Sequence, residues 1–295
     1  MIHQRRALAQ QALNMATEVR RKAGFDQKSP ICVFDLCDNL GFKVQFVDFS
    51  MEGLYMKDQR PIILLSSLRP LPRRVFNCAH EIGHHVFGHG FRVDELCERL
   101  TSDRPQSKGF APEEFLADCF AGFLLMPALG VRQAFVSRGW DVRSTTPLQF
   151  FTVACSFGVG YDTLIVHLKS CSIISRQQAN ALDKSTPKSI REELLGYSIP
   201  EPLTIADEHW VLPTIDAEVG QLLLLPDGAE VESDVLVFEE AHPAGWLFRA
   251  GRPGITRAQC GKFGWAKFVR VSRREYCGWS RYRHLEQTED EIENE

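Results

Sequence analysis

Two histidines four residues apart, with a glutamate directly after the first, stand in His80-Glu81-Ile82-Gly83-His84. The residues leading into them, Arg74 to Ala79, contain no proline and suit a helix. At ~3.6 residues per turn, helical positions four apart project side by side. Two imidazoles so placed bind one zinc ion, and the glutamate can act as base toward a water on the metal. The chemistry this spacing supports is metal-assisted hydrolysis, with a peptide bond as the expected target.

A catalytic zinc usually takes three protein ligands and keeps one position for water. One extension of the motif, x-x-G-x-x-H, needs glycine at 87 and histidine at 90. The chain has Phe87 and Gly90, and His89 is one residue out of register. The alternative is a carboxylate from a second helix. Glu114 and Asp118 are four apart and share a face of a segment otherwise rich in Phe, Leu, Ala and Cys. Carboxylates removed from water are normally paired or metal-bound. Glu114 is therefore the expected third ligand, and Asp118 the expected hydrogen-bond partner that fixes a ligand histidine's tautomer. Glu113, about 100° around the helix from Glu114, is the fallback. The Glu-x-x-x-Asp spacing resembles the way thermolysin-like gluzincins complete their sites. Helical phase takes His85 and His89 off the ligand face, and His167 reads as a core histidine. His209, His242 and His284 have no partner at recognisable spacing. One of them, or a tyrosine, is left open as a group that polarises the substrate carbonyl. Zn²⁺ is the expected ion, with Mn²⁺ or another divalent ion left open, since availability decides occupancy.

The elements that must position these groups follow from pattern. An apolar stripe over 4–24 predicts a helix stopped by Gly24, and 31–38 a second, short one between Pro30 and Gly41. Residues 43–47, 53–56 and 61–65 read as strands of a small antiparallel sheet, with 57–60 as a turn. Gly88 and Gly90 should end the H-E-x-x-H helix, and 91–112 reads as a polar loop. Pro112 to Pro127 brackets an apolar, buried helix. Residues 147–170 have a helix-turn-helix outline. Strand patterns recur from 211, at 220–225, 234–238, 245–249 and 267–271. The fold class is α+β: a zincin-like metallopeptidase domain over 1–146, a helix-turn-helix-like region over 147–180, a linker over 181–210 and a β-rich module over 211–285. The last ten residues, 286–295, hold six acids and read as a disordered tail.

With 295 residues the chain can bury one large core or two smaller ones, and 44% hydrophobic with 24% charged residues is ordinary globular composition. A net charge of −4 gives no reason to expect nucleic acid or an anionic membrane as the main partner. No apolar run is expected to reach the ~20 residues of a membrane span, and the N-terminus lacks a secretory core. A soluble, cytoplasmic protein is the expectation. The nine cysteines are odd in number and include no C-x-x-C pair, so they read as reduced, structural residues.

At its two anchors the chain resembles the ImmA/IrrE-type metallopeptidases. Arg74 to His84 is similar to the family's R-x-F-x-x-A-H-E-h-G-H segment, where h is apolar. Glu114 to Pro127 is similar to E-x-E-A-N-x-F-A-x-x-L-L-M-P, with Leu116 in place of the second Glu and Asp118 in place of the Asn. The likeness covers roughly residues 5–175. It implies a cytosolic bacterial or phage-type zinc protease that cuts a helix-turn-helix repressor and so derepresses stress, mobile-element or toxin–antitoxin genes. It also implies that the β-rich module occupies the place of a GAF-like sensor found in some relatives. Two rivals remain. One is a non-catalytic regulatory protein that docks on a repressor or senses a ligand; an intact Glu81 speaks for the enzyme instead. The other is a DNA-binding regulator. Its recognition helix, 161–169, has one lysine and no arginine, which speaks against phosphate contacts.

Overall fold

The computed structural model describes residues 2–57, 59–89 and 110–285. The loop expected at 91–112 lies outside the described residues up to 109, and so does the acidic tail at 286–295. The fold is α+β and divides into two units. One holds residues 1–127 with 277–281, and the other 128–276 with the remaining C-terminal residues.

In the first unit, helix α1 (Ile2–Lys22) is followed by α2 (Val33–Leu40). Gly41 adopts the left-handed conformation, φ 80°, and caps α2 as its place in the sequence predicts. Strands β1 (Lys43–Val47), β2 (Gly53–Met56) and β3 (Ile62–Ser66) precede α3 (Leu71–Val86), the H-E-x-x-H helix. After the undescribed stretch comes α4 (Pro112–Leu125). Arg20, fully buried on α1, donates to the carbonyls of Asp26, Ser29 and Leu124 and so ties the end of α1 to the end of α4. Burial drives its pKa down to about 10, which still leaves the guanidinium charged at neutral pH.

The sheet corrects one expectation. It is mixed: with β12 (Gly278–Trp279) at one edge, the order is β12-β1-β3-β2. The short connection between β2 and β3 forces those two strands to be antiparallel. Strand β1 takes the opposite edge of β3 and, with β2 running back between them in the chain, lies parallel to it. The fourth strand, β12 (Gly278–Trp279), arrives from near the C-terminus and pairs antiparallel with β1 through Gln45↔Trp279 and Phe46↔Gly278.

Helices α3 and α4 touch at Gly83. A Cβ placed there would lie 3.1 Å from the Ala117 Cα and 3.2 Å from the Phe120 ring. Glycine inside a helix costs ~1 kcal/mol in propensity. Here it lets two backbones approach, which brings Glu114 and Asp118 within reach of α3. Gly83→Val is expected to destabilise the fold by about 1–3 kcal/mol through overpacking. Urea unfolding of the metal-free protein measures this, and an unmoved midpoint would mean the contact can open at no cost.

The second unit begins with α5 (Ala128–Val136), then α6 (Pro147–Ser156) and α7 (Tyr161–Ser170). Helices α6 and α7 turn through 95° at residues 157–160, the expected helix-turn-helix outline. The stretch expected as a linker, 181–210, is structured instead. It takes the end of α8 (Arg176–Leu182), all of α9 (Pro187–Leu195) and strand β4 (Leu203–Ile205). The signals for α9 are local: a capping box between Thr186 and Ser189, Pro187 in the first turn, and Gly196 left-handed at the end.

Beyond β4, strands β5 (Thr214–Glu218), β6 (Leu222–Leu225), β7 (Glu230–Val231), β8 (Leu236–His242), β9 (Gly245–Ala250), β10 (Gly254–Cys260) and β11 (Trp265–Ser272) make two sheets. Their orders are β5-β11-β10-β7 and β4-β6-β9-β8. Ile215, Val269 and Val271 from one sheet join Leu223, Phe248 and Ala250 from the other in a single core. Asp216 accepts from Arg270 at 2.7 and 2.8 Å and from Arg283 at 3.0 Å, fixing β5 to β11 and to the segment after β12.

Contrary to expectation, one stretch has the length and hydropathy of a membrane span: the consecutive helices over 112–136, broken at Met126 and Pro127. Of its most apolar 18 residues, 61% are buried within the protein, as in a core helix.

Candidate metal centre

His80 and His84, one turn apart on α3, turn their Nε2 atoms toward each other at 2.9 Å. Glu114, in the first turn of α4, brings Oε2 to 3.4 Å from His80 Nε2 and Oε1 to 3.6 Å from His84 Nε2. Ligand atoms of all three residues lie within 4.8 Å of one another, and among the described residues no other three-member group of this kind occurs. The three separations bracket the roughly 3.3 Å edge of a tetrahedron whose ligand bonds are about 2.0–2.1 Å long. Two imidazoles and a carboxylate are also a donor set suited to zinc, so the residues present fit a bound divalent ion.

The electrostatics agree with that fit. Burial opposes a charge on His80. Hydrogen bonds to the Asp118 and Glu114 carboxylates and the nearby charge of Glu81 outweigh it, and raise its pKa to about 10. A site that stabilises an imidazolium so strongly has a negative potential that equally suits a cation. His80 Nδ1 lies 2.8 Å from Asp118 Oδ1, so a donated Nδ1–H leaves Nε2 free to point into the cluster. The Asp118 side chain is 60% exposed, however, and Glu114 31%. The expectation that both carboxylates are buried is thus corrected: they sit on the solvent-facing side of the first two turns of α4, while Leu116, Ala117, Phe120 and Ala121 fill its buried side. Glu113 is exposed and is not in the three-residue group.

Residues 37–169 match the Peptidase_M78 family, described as the IrrE N-terminal-like domain. This segment of the chain belongs to that family. The domain runs from α2 through the end of the helix-turn-helix pair and takes in both members of the H-E-x-x-H and Glu-x-x-x-Asp constellation. No curated protein matches the chain. Among solved structures, a Mycobacterium tuberculosis transcriptional regulator is similar over 55% of this chain and 46% of its own, at 22% identity and a TM-score of 0.35. The chain thus spans about half the length of that protein.

Within the IrrE N-terminal-like domain the remaining site residues fall into place around α3. Glu81 is buried, and its carboxylate lies against the start of β2: a Cβ on Gly53 would sit 2.9 Å from Glu81 Oε1. Strand β2 is the outermost strand of the sheet on that side. Gly53 was not singled out from the sequence, where a glycine opening a strand carries no sign of which backbone it approaches. His85 is off the cluster as helical phase predicts. Its Nδ1 lies 2.7 Å from the Tyr55 hydroxyl, which joins α3 to β2. His89 is likewise outside the three-residue group, but it touches one of its members. Gly88, at φ 70°, folds the chain back after α3, and His89 Nδ1 comes to 2.9 Å from His84 Nδ1. The glycine stop was legible in the sequence; that it would return His89 to the site was not. His167, buried on α7, and His209, His242 and His284 belong to the second unit.

Proposed function

We propose that the chain is a zinc-dependent endopeptidase with a zincin-like arrangement, acting in the cytoplasm on a helix-turn-helix transcriptional repressor. The observation that carries the peptidase reading is the convergence of His80, His84 and Glu114 beside a buried Glu81. The repressor as substrate, and derepression of stress, mobile-element or toxin–antitoxin genes as outcome, rest on the ImmA/IrrE resemblance.

In this reading His80, His84 and Glu114 hold the ion. A divalent ion there supplies Lewis acidity toward a carbonyl oxygen and lowers the pKa of water toward ~7. Asp118 and His89 hold the two imidazoles by their Nδ1 atoms, so that each Nε2 faces inward. Glu81 accepts a proton from the attacking water on a carboxylate oxygen and delivers it to the leaving amine. Its burial lets it keep that proton away from bulk solvent. The edge of β2 gives an extended peptide a row of backbone partners, and Gly53 lets that backbone pass close to Glu81.

The test is a cleavage assay. The purified, zinc-loaded protein is mixed with the helix-turn-helix repressor encoded beside it, and fragments are resolved by mass spectrometry. One discrete cut is the expected result. An intact repressor that nevertheless co-purifies with the protein would replace the enzyme with a docking regulator.

The outer partners give a separate prediction. His89→Ala should lower zinc affinity by about 10–100-fold, the usual cost of removing a group that orients a ligand histidine. Competition with a chromophoric chelator reads this directly, and His89→Asn should recover part of the loss. Unchanged affinity in His89→Ala would remove the residue from the site.

A further inference from the structure

We propose that the second unit carries a binding groove for a compact, phosphate-dense anion, lined by Arg143, Lys169 and Arg176. This inference is independent of the metal centre. The groove has a volume of about 1170 Å³ and lies among the loop before α6, the end of α7 and helix α8. That is slightly above the ~300–1,000 Å³ usual for small-molecule sites. Ser172, Gln177 and Asn180 add hydroxyl and amide donors, and no carboxylate lines it.

Five other guanidinium groups of this unit are held by carboxylates. Arg138 pairs with Asp207, Arg249 with Glu201 and Glu239, Arg252 with Asp234, and Arg270 and Arg283 with Asp216. Arg143, Lys169 and Arg176 make no side-chain ion pair or hydrogen bond among the described residues. The lining thus carries three positive charges and no negative one, a net charge that favours an anion. Two forked guanidiniums and an ammonium suit the oxygens of phosphate groups.

Ser172 adds an independent sign. It has φ 56° in the turn that ends α7, where the Ile173 amide donates to the Leu168 carbonyl at 2.9 Å. Glycine is the usual occupant of such a position, and a side chain there costs roughly 1–2 kcal/mol. Ser172 is also one of the residues that line the groove.

The charge density points to an oligophosphate rather than to acidic peptide or duplex DNA. An acidic side chain carries one charge, whereas an oligophosphate sets several within reach of three cations. A helix-turn-helix reads bases with the start of its second helix. Here Lys169 lies at the other end of α7, and the start carries Asp162.

Isothermal titration of the full chain with tripolyphosphate at low salt tests the proposal, with ATP as a second arm to distinguish a nucleotide from a free phosphate chain. Saturable one-to-one binding is expected. Arg143→Gln, Lys169→Gln and Arg176→Gln should each weaken it by roughly tenfold, the scale of one charge-assisted hydrogen bond, and the triple variant should abolish it. Arg252→Gln, a charge lost elsewhere in the unit, should leave it unchanged. Ser172→Gly should weaken binding while holding or raising the melting temperature. Absence of saturable binding, binding unaffected by the triple variant, or tighter binding of a duplex or of hexaglutamate would each overturn it.

Discussion

Glutamine at position 81 should leave the protein folded and metal-loaded, yet slow peptide cleavage by about 10²–10⁴-fold, the contribution of a positioned acid–base group. The substitution conserves volume, which matters because Glu81 is buried and pressed against Gly53. An alanine would open a cavity and blur the result. Glutamine cannot accept the proton, so the loss should fall on kcat, with KM little changed. Zinc stoichiometry measured on the same sample separates chemistry from metal loss, because Glu81 is not among the three converging residues. Activity retained in a metal-replete Glu81→Gln protein would move the base role elsewhere.

Glu114→Ala should have its effect on metal instead. It removes one of three converging ligands, so affinity should fall by more than the roughly 10–100-fold lost with an outer partner. Glu113→Ala is the matched control: same helix turn, same charge removed, but an exposed side chain outside the group. Zinc should be retained there. Full occupancy in Glu114→Ala, with loss in Glu113→Ala, would exchange the two assignments. Chelator competition reads both without any substrate, so this outcome stands apart from whether a cleavable repressor has been found.

Much of this architecture is written locally. Helix α3 and helix α4 follow from apolar spacing, from proline near their starts and from glycine or proline at their ends. The separation of His80 from His84 and of Glu114 from Asp118 follows from the helical repeat. What escaped the sequence is non-local. Strand β12 has two residues and no periodicity, and its partner lies more than two hundred positions away. The parallel pairing of β1 with β3 depends on which edge of β3 is left after β2 folds onto it. His89 reaches His84 only because a left-handed residue reverses the chain, where the phase argument had already ended with the helix. Helix α9 is a different case. Its capping box and terminal glycine were present in the sequence and outweigh its weak apolar pattern.

The origin of β12 sets a timetable for biosynthesis. The first unit is not a contiguous length of chain, since it takes residues 277–281, β12 among them, from beyond the whole β-rich region. A ribosome that has just finished residue 127 must add about 150 more before that strand exists, which at 5–20 residues per second takes on the order of ten seconds or more. Throughout that interval β1 has an unpaired edge, the kind of surface that recruits foreign strands. The nascent protein therefore passes through a stage in which its H-E-x-x-H helix can be formed while the sheet beside it is one strand short.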